Sequence, residues 1–453
     1  MRRRDLLGAL AATAFPGALL EASRARAQDQ AAADFTLEIG PVSVELAPGT
    51  TVKTLGYNGS APGPLLRIPE GKTVSIEVHN NTSEEEVVHW HGLHIPSDVD
   101  GSLEEGTPGV PPRGRRRYSF TATPSGTRWY HSHTMAGRNL KRATYTGQFG
   151  FLYVEPRSDP GAYDQEVFLA LKEWDPYMST GGDGGGDEGS MDAAYKHFSI
   201  NNRALGHGAP IRVHERQRVL FRILNASATV HRRVALAGHK FQVTAMDGNP
   251  LAAPKEIEAL ELGPAERIDA IVEMNRPGVW VFGTTDDHDR ERGMGIVVEY
   301  AGQGGEACWM APGSERWDYV FFGNRTAVAD PAERIPLVFE KKFAGHRWVD
   351  KWTINGKSFP KTDPIRVKAN RRYRLVLDNR SDEAHPIHLH RHTFELTKVE
   401  GVATSGVRKD VVMVRPKTQV EVDLVANNPG LTLFHCHQQM HMDYGFMALM
   451  EYV

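Results

Sequence analysis

The segment His435-Cys436-His437, followed by His441, combines one thiol with three imidazoles near the end of the chain. Successive side chains of a β-strand point to opposite faces, so we expect His435 and His437 on one face and Cys436 on the other. A thiolate with two imidazoles suits a trigonal copper site for electron transfer, whereas imidazoles alone suit copper that reacts with oxygen. One short strand can therefore serve two metal centres, with Cys436 and its bonded neighbours as the bridge between them.

Three further histidine clusters supply candidates for the remaining ligands. A single His-x-His pair is a weak indication of metal binding, because such pairs also occur on protein surfaces and in cores. Several pairs, divided between the two ends of the chain, would place paired imidazoles on strand faces, which is the geometry that a shared metal cluster needs. These clusters are His89-Trp90-His91, His131-Ser132-His133 and His385-Pro386-Ile387-His388-Leu389-His390.

An internal repeat indicates how the ligand strands are positioned. A glycine followed by a short aromatic strand occurs three times, and His131, Gly283 and His435 occupy the same place in it at equal spacing. Alternating strands, frequent Gly and Pro turns and little helical periodicity predict an all-β protein built from β-sandwiches. We place three domains at residues 35–156, 157–302 and 303–453.

The middle repeat lacks the candidate ligands. Its alignment with the third repeat puts Arg232 opposite His385, Ala235 opposite His388 and Ala237 opposite His390. We therefore predict metal in the first and third domains, and a structural role for the second.

The four clusters resemble, in order, spacing and residue type, the copper-binding signature of the multicopper oxidases, a laccase-like family. The resemblance covers the whole chain after the N-terminal segment. It implies three cupredoxin-like Greek-key β-sandwiches and four copper ions, three of them in a cluster between the first and third domains. It also implies a reducing substrate that is oxidised one electron at a time and dioxygen that is reduced to water.

The resemblance implies a ligand set for each copper. The sets are His385, Cys436 and His441 for the mononuclear blue (type 1) copper, His89 and His388 for the type 2 copper, and His91, His131, His133, His390, His435 and His437 for the type 3 pair. Electrons would enter at the edge of His441 and leave Cys436 through the two histidines beside it.

Four positions near these ligands bear on the mechanism. Phe446 stands at the axial position of the type 1 copper, and since a phenyl ring cannot coordinate, we expect a three-coordinate site of raised potential. Met442 stands where several bacterial relatives have a glutamate that moves protons, and we interpret Met442 and Met447 as packing residues. Asp100 matches the family aspartate beside the type 2 copper, so we expect proton delivery or ligand orientation from it. The alternative is a turn aspartate before Gly101.

The leading functional hypothesis is an exported, laccase-like oxidase of phenols or aromatic amines. The alternative is a periplasmic metallo-oxidase of Cu(I) or Fe(II). The chain has no methionine-rich insertion of the kind such relatives often carry, although Met440, Met442 and Met447 stand close to Cys436. A copper nitrite reductase would not need the type 3 histidines, and copper-free scaffold relatives have lost ligands that this chain retains.

Composition and the N-terminus limit the partners and the location. The formal charge of −3 and the 40% hydrophobic content are ordinary for a globular protein and favour no nucleic-acid partner. Residues 1–27 resemble a twin-arginine-type export signal, with Arg2-Arg3-Arg4 before an apolar stretch and Ala25-Arg26-Ala27 as a cleavage site. An ordinary secretory signal or an unstructured terminus is the alternative. We expect a periplasmic or secreted protein without a membrane span, and a monomer, with higher oligomers left open.

Overall fold

The computed structural model describes residues 32–453 except 159, 160, 162, 181–190, 332 and 345–348. The predicted export signal, residues 1–27, lies outside this described part of the chain. Within it, the helices are all too short or too polar to cross a membrane.

The first β-sandwich has two four-stranded sheets. Its elements are β1 (Phe35–Ala47), β2 (Thr50–Tyr57), β3 (Leu66–Pro69), β4 (Thr73–Asn80), β5 (Val88–His91), β6 (Arg115–Thr121), β7 (Gly126–Ser132), the 3₁₀-helix Ala143–Tyr145 and β8 (Phe149–Glu155). The strand orders are β2-β1-β4-β6 and β3-β8-β7-β5. β1 alternates buried and exposed side chains, as expected for a strand with one face on a core.

The second β-sandwich is larger and has a six-stranded and a five-stranded sheet. Its elements are β9 (Gln165–Thr180), β10 (Met191–Ile200), β11 (Ile211–Val213), β12 (Arg218–Asn225), β13 (Arg232–Leu236), β14 (Phe241–Met246), β15 (Asn249–Ile257), β16 (Ala259–Leu262), β17 (Arg267–Glu273), β18 (Val279–Thr284), α1 (Asp287–Glu291) and β19 (Gly295–Tyr300). The strand orders are β10-β9-β12-β17-β14-β15 and β11-β19-β18-β13-β16.

The third β-sandwich follows a short helix and ends the chain. Its elements are α2 (Tyr319–Phe322), β20 (Glu333–Lys342), β21 (Lys351–Ile354), β22 (Ile365–Val367), β23 (Arg372–Asn379), β24 (His385–Leu389), β25 (Phe394–Val399), β26 (Val402–Ala403), β27 (Arg408–Lys409), β28 (Val411–Val414), β29 (Gln419–Val425), β30 (Thr432–Cys436), α3 (Gln439–Asp443) and β31 (Met447–Tyr452). One sheet is ordered β21-β20-β23-β29-β25-β26, with β27 beside β25, and the other β22-β31-β30-β24-β28. The predicted all-β fold of three sandwiches is confirmed.

One cross-strand pair recurs in all three sandwiches. The pairs are His89 with His131, Ala235 with Gly283, and His388 with His435. This register agrees with the alignment of the repeats made from the sequence. The middle domain therefore keeps the backbone of a ligand site but has side chains there that cannot bind a metal.

A buried asparagine ends the corresponding strand of each domain and explains the repeated Asn turn. The amide nitrogens of Asn80, Asn225 and Asn379 donate to backbone carbonyls across the loop that follows. The side-chain oxygen of each accepts the backbone N–H two residues later. In the third domain, the amide nitrogen of Asn379 donates to the carbonyl of Glu383, two residues before His385. The asparagine thus fixes the loop from which the ligand strand begins.

The three domains share one apolar cluster. It brings together Trp129 of the first domain, Trp174 and Leu224 of the second and Val411 of the third, all nearly inaccessible to solvent. Burial of such large side chains at a domain boundary holds the sandwiches in fixed relative positions. The strands with the candidate ligands, β5, β7, β24 and β30, therefore face each other across a rigid interface.

We predict that Asn225→Ala destabilises the protein without a direct effect on any candidate ligand. The substitution leaves the carbonyls of Val230 and Leu262 and the N–H of Ser227 without their buried partner. Each such loss costs about 1–3 kcal/mol and three groups are affected, so the free energy of unfolding should fall by at least about 3 kcal/mol. Chemical denaturation of the metal-free protein measures this change. The exposed Asn275→Ala variant serves as the control, and equal stability of the two variants would contradict the prediction.

Candidate metal centre

Eight histidines converge at the interface between the first and third domains, and His385, Cys436 and His441 meet at a separate site within the third domain. All eleven residues are at most 4% exposed. The rings of His91 and His388, from different domains, are stacked with centroids 3.9 Å apart and an interplanar angle of 11°. His89 and His390 form a second stacked pair, also at 3.9 Å. The two domains thus interleave their imidazoles, and the site depends on both.

The imidazoles form three groups whose nitrogens lie close enough to share metal ions. Within each group the candidate ligand atoms are within 4.8 Å of one another. The groups are His91, His131 and His437; His133, His390 and His435; and His89, His91 and His388. The structure therefore brings together every histidine that the sequence assigned to the type 2 and type 3 coppers.

The outward nitrogens of these rings are held by fixed acceptors. Nδ1 of His131 donates to the carbonyl of Ser132, and Nδ1 of His435 to that of Cys436, each at 2.9 Å. His91 is reversed, since its Nε2 faces the carboxylate of Asp410 at 3.1 Å. A nitrogen that donates outward leaves the other nitrogen with its lone pair directed inward. The nitrogen that faces the cluster is therefore Nε2 in His131 and His435 but Nδ1 in His91.

The inward nitrogens fit a bound cation. Nε2 of His89, Nδ1 of His91 and Nε2 of His131 are buried without a hydrogen-bond partner among the described residues. Nε2 of His390 faces Nε2 of His435 at 3.1 Å, and both rings have an acceptor on the opposite nitrogen. Two lone pairs directed at each other in a buried site are satisfied only by a proton or a metal ion between them. A cluster of imidazole donors of this kind suits copper.

Burial keeps these imidazoles neutral. It lowers the pKa of His89 and of His133 to about 4, and it holds the pKa of His437 well below the usual value. The removal of water disfavours the charged imidazolium, so the ring nitrogens are available as ligands near pH 7. Burial also raises the pKa of Cys436 well above that of a free thiol. A cation in contact with the sulfur would stabilise the thiolate.

Cys436 faces a separate site on the other side of β30. Its sulfur lies 3.5 Å from Nδ1 of His441 and 3.8 Å from Nδ1 of His385, and the two nitrogens are 3.2 Å apart. Nε2 of His385 is hydrogen-bonded to the hydroxyl of Ser381 at 2.7 Å, and Nε2 of His441 to the carboxylate of Glu383 at 3.0 Å. These outer contacts direct both Nδ1 atoms at the sulfur, which makes a compact site of one sulfur and two nitrogens.

Phe446 lies beside this sulfur site. Its ring centroid is 4.9 Å from that of His385, and its carbonyl accepts the N–H of Cys436. Met442 and Met447 pack in a separate apolar cluster with Leu433. Both thioethers are thus packing residues, in agreement with the sequence interpretation.

Asp100 contacts ligands of two different groups. Its carbonyl accepts from Nδ1 of His89 at 2.9 Å, and its carboxylate lies 2.8 Å from Nδ1 of His390. Burial raises the pKa of Asp100 to about 7. Gly101 is required as well, because φ there is +101° and a Cβ would lie 1.9 Å from the carbonyl of Val88. Asp100 is thus both a turn aspartate and a direct partner of two candidate ligands.

The sequence reasoning missed three acidic residues that touch ligands. Asp410 contacts His91, Glu105 lies 3.5 Å from His390, and Glu383 contacts His441. Glu105 also accepts the N–H of Leu433, which ties the loop of the first domain to β30. Each of these acids stands far along the chain from the histidine that it contacts, so no local spacing in the sequence indicated these partners.

Comparisons with known proteins place this geometry in a family. Three domain models described as multicopper oxidase match residues 38–159, 166–299 and 335–453. The multicopper oxidase MmcO of Mycobacterium tuberculosis is 31% identical over 98% of this chain and 91% of its own length. The multicopper oxidase mco of Staphylococcus aureus is 25% identical over 91% of this chain and 87% of its own.

Solved structures agree with this placement. The multi-copper oxidase from Pseudomonas thermotolerans superposes with a TM-score of 0.73 at 27% identity, over 93% of this chain and all of that one. The laccase from Botrytis aclada, at 20% identity, shares the fold with a TM-score of 0.76 over 92% of this chain and 87% of its own. The chain therefore belongs to the multicopper oxidase family, and it is a copper-dependent oxidoreductase of cupredoxin-like domains that binds four coppers and uses dioxygen as the electron acceptor.

Proposed function

We propose that the ten histidines and Cys436 that the structure brings together in and between the domains at 35–156 and 303–453 are the copper ligands, in the sets inferred from the sequence. His385, Cys436 and His441 hold the type 1 copper, His89 and His388 the type 2 copper, and His91, His131, His133, His390, His435 and His437 the type 3 pair. The observation that carries this assignment is the alternation along β30, where Cys436 faces one site and His435 the other.

The chain itself supplies the route between the two sites. The sulfur of Cys436 is connected to His435 and His437 through one peptide unit on each side, so the path is covalent. Bound copper supplies one-electron transfer and the reduction of dioxygen to water. The protein holds the imidazoles neutral, fixes their orientation through the outer acceptors and excludes water from the cluster. Asp100, which touches ligands of two groups, is the proposed proton donor or orienting residue.

The proposed substrates are phenols or aromatic amines. Phe446 offers no axial ligand to the sulfur site, and weak axial coordination raises the potential of a blue copper site. A high potential suits reductants such as phenols that release an electron reluctantly. The proposed electron path enters at His441, whose ring is covered by Trp352 at 4.1 Å and whose Nε2 is bonded to Glu383.

A second candidate substrate is a reduced metal ion, Cu(I) or Fe(II). Beside His441 lies a small open cavity of about 20 Å³, which has room for a single ion. Its lining includes Asp192, Asp350, Glu383, Met191 and Met440. Thioethers suit Cu(I), and carboxylates suit Fe(II). These side chains support the oxidation of Cu(I) or Fe(II) as the second candidate function.

We also propose export. Residues 1–27 carry the arginine-rich and apolar segments of an export signal, and the cleavage site after Ala27 predicts a mature protein that begins at Gln28. The mass of the protein recovered from an extracytoplasmic fraction tests this proposal. Absence of the protein from that fraction would contradict export, and an uncleaved chain there would contradict the cleavage site.

We predict that Cys436→Ser abolishes the blue absorption and the oxygen uptake while the fold persists. A serine hydroxyl is not the soft thiolate ligand that such a site requires, but it is close in size to the thiol it replaces. Absorption spectra, copper analysis and oxygen uptake with a phenol measure the effect, and circular dichroism reports the fold. Oxygen uptake at the wild-type rate would contradict the proposed path.

We predict that Glu383→Gln separates the two substrate classes. If metal ions bind in the small cavity, loss of this carboxylate should lower kcat/KM for Cu(I) or Fe(II) about tenfold, roughly 1.4 kcal/mol, while phenol turnover changes less. The adjacent Asp382→Asn is the matched control, because Asp382 is exposed and paired with Lys417. Equal losses with phenol and with metal ions would argue against a dedicated ion site.

A further inference from the structure

The copper-free second domain contributes a buried ion network that reaches the copper ligands. Its centre is Asp410 of the third domain, which is completely buried. The carboxylate of Asp410 accepts from Nε2 of His91 at 3.1 Å, and its backbone carbonyl accepts from Nδ1 of His388 at 2.8 Å. One residue thus anchors the outer nitrogens of two stacked imidazoles from different domains, assigned above to different coppers.

Arg267 of the second domain holds this anchor in place. Its Nη1 donates to Oδ1 of Asp410 at 2.6 Å and its Nη2 to Oδ2 at 2.7 Å, which is a two-pronged pairing of guanidinium with carboxylate. Arg128 of the first domain adds a longer contact at 3.4 Å. The fork fixes the plane of the carboxylate, so the oxygen that meets His91 cannot rotate away.

Arg267 is itself fixed from all three domains. Its Nε donates to the carbonyl of Thr127 in the first domain, and its Nη1 to that of Ala265 in its own. The carboxylate of Asp247 accepts hydrogen bonds from the backbone N–H groups of Arg267, Asp410 and Val411. A guanidinium held at both ends has little freedom to follow a displaced partner.

Two further contacts show that the second domain packs closely against the residues next to Asp410 and His91. Lys409, next to Asp410, is buried between Asp247 at 3.0 Å and Glu266 at 2.9 Å. Gly92, next to His91, has φ +86°, and a Cβ there would lie 2.8 Å from both Arg267 and Asp410. The ion pair therefore packs directly against the backbone that follows a ligand, where only glycine fits.

From these contacts we propose that Arg267 is a positioning residue for the trinuclear copper cluster, acting from the copper-free domain through Asp410 on His91 and His388. The inference rests on the ligand assignment proposed above. It assigns the second domain a task beyond packing, because the fork sets the orientation of a ligand on each of two coppers. Loss of an outer hydrogen-bond partner of a metal ligand lowers metal affinity about 10–100-fold.

The test is copper retention in Arg267→Met and Arg267→Lys. After dialysis of the copper-loaded proteins against a copper-buffered solution, we expect Arg267→Met to keep the type 1 absorption and to lose cluster copper, with an altered or absent type 2 signal in electron paramagnetic resonance. Arg267→Lys should be intermediate, since lysine offers a single charged point instead of a fork. Four retained coppers with wild-type resonance in Arg267→Met would overturn the proposal.

A matched control separates positioning from packing. Arg222 is also a buried arginine of the second domain, contacts Thr127 of the first domain and pairs with Asp269, but it does not touch Asp410. Arg222→Met should therefore retain the wild-type ratio of cluster copper to type 1 copper. An equal loss of cluster copper in Arg222→Met, or a parallel loss of type 1 copper in Arg267→Met, would show a general structural role and overturn the proposal.

A double variant covers the case in which Arg267→Met fails to fold because Asp410 is left as an unpaired buried charge. Arg267→Met with Asp410→Asn removes that charge and keeps an oxygen that accepts from His91. We expect this variant to fold and still to lose cluster copper in preference to type 1 copper, and full retention would overturn the proposal. A wild-type protein that binds no cluster copper would instead refute the ligand assignment, so the two failures are distinguishable.

Discussion

The alternation of side chains along β30 is the constraint on which the rest of this structure depends. Because consecutive residues of a strand face opposite ways, a sulfur site and an imidazole cluster must lie on the two sides of one backbone. The bond path between them is then as short as a protein chain allows. The cluster side of β30 is open, however, and must be completed by imidazoles from another domain. Two sandwiches therefore have to be held in register to within the length of a metal–ligand bond.

The outer hydrogen bonds meet that requirement more directly than the apolar core does. Each buried imidazole has one nitrogen for the metal, and the other needs a partner, because a buried polar atom without one is costly. Backbone carbonyls supply several of these partners, for example Ser132 for His131, and carbonyls of fixed strands cannot move independently. Where the partner is a side chain, as with Asp410 and Asp100, further ion pairs or backbone contacts hold it in turn. Two layers of contacts thus hold the site: the acceptors of the imidazoles, and the groups that fix those acceptors.

The middle domain illustrates what a repeat can retain after its ligands are gone. It keeps the pairing of Ala235 with Gly283 where its neighbours pair histidines, so its backbone still follows the ligand-bearing pattern. What it presents at the domain interface is charge, through Asp247 and Arg267. An exposed pair of this kind would contribute little, but a buried, forked pair is specific in geometry and strongly coupled to its neighbours. This explains why a domain without metal is packed so closely on the cluster.

The sequence by itself determined the fold class, the repeat, the loss of ligands from the middle unit and the grouping of the histidines, because residue type and strand spacing are local properties. It also marked Phe446 and Asp100 as positions of interest. Only the tertiary structure decided which ring nitrogen faces inward and which acids hold the outer one. His91 and its partner Asp410 are 319 residues apart, and no pattern in either segment refers to the other. Residue type and spacing in the sequence identify the candidate ligands. The orientation of each ring depends on acceptors from distant segments, which reach it only when the chain folds.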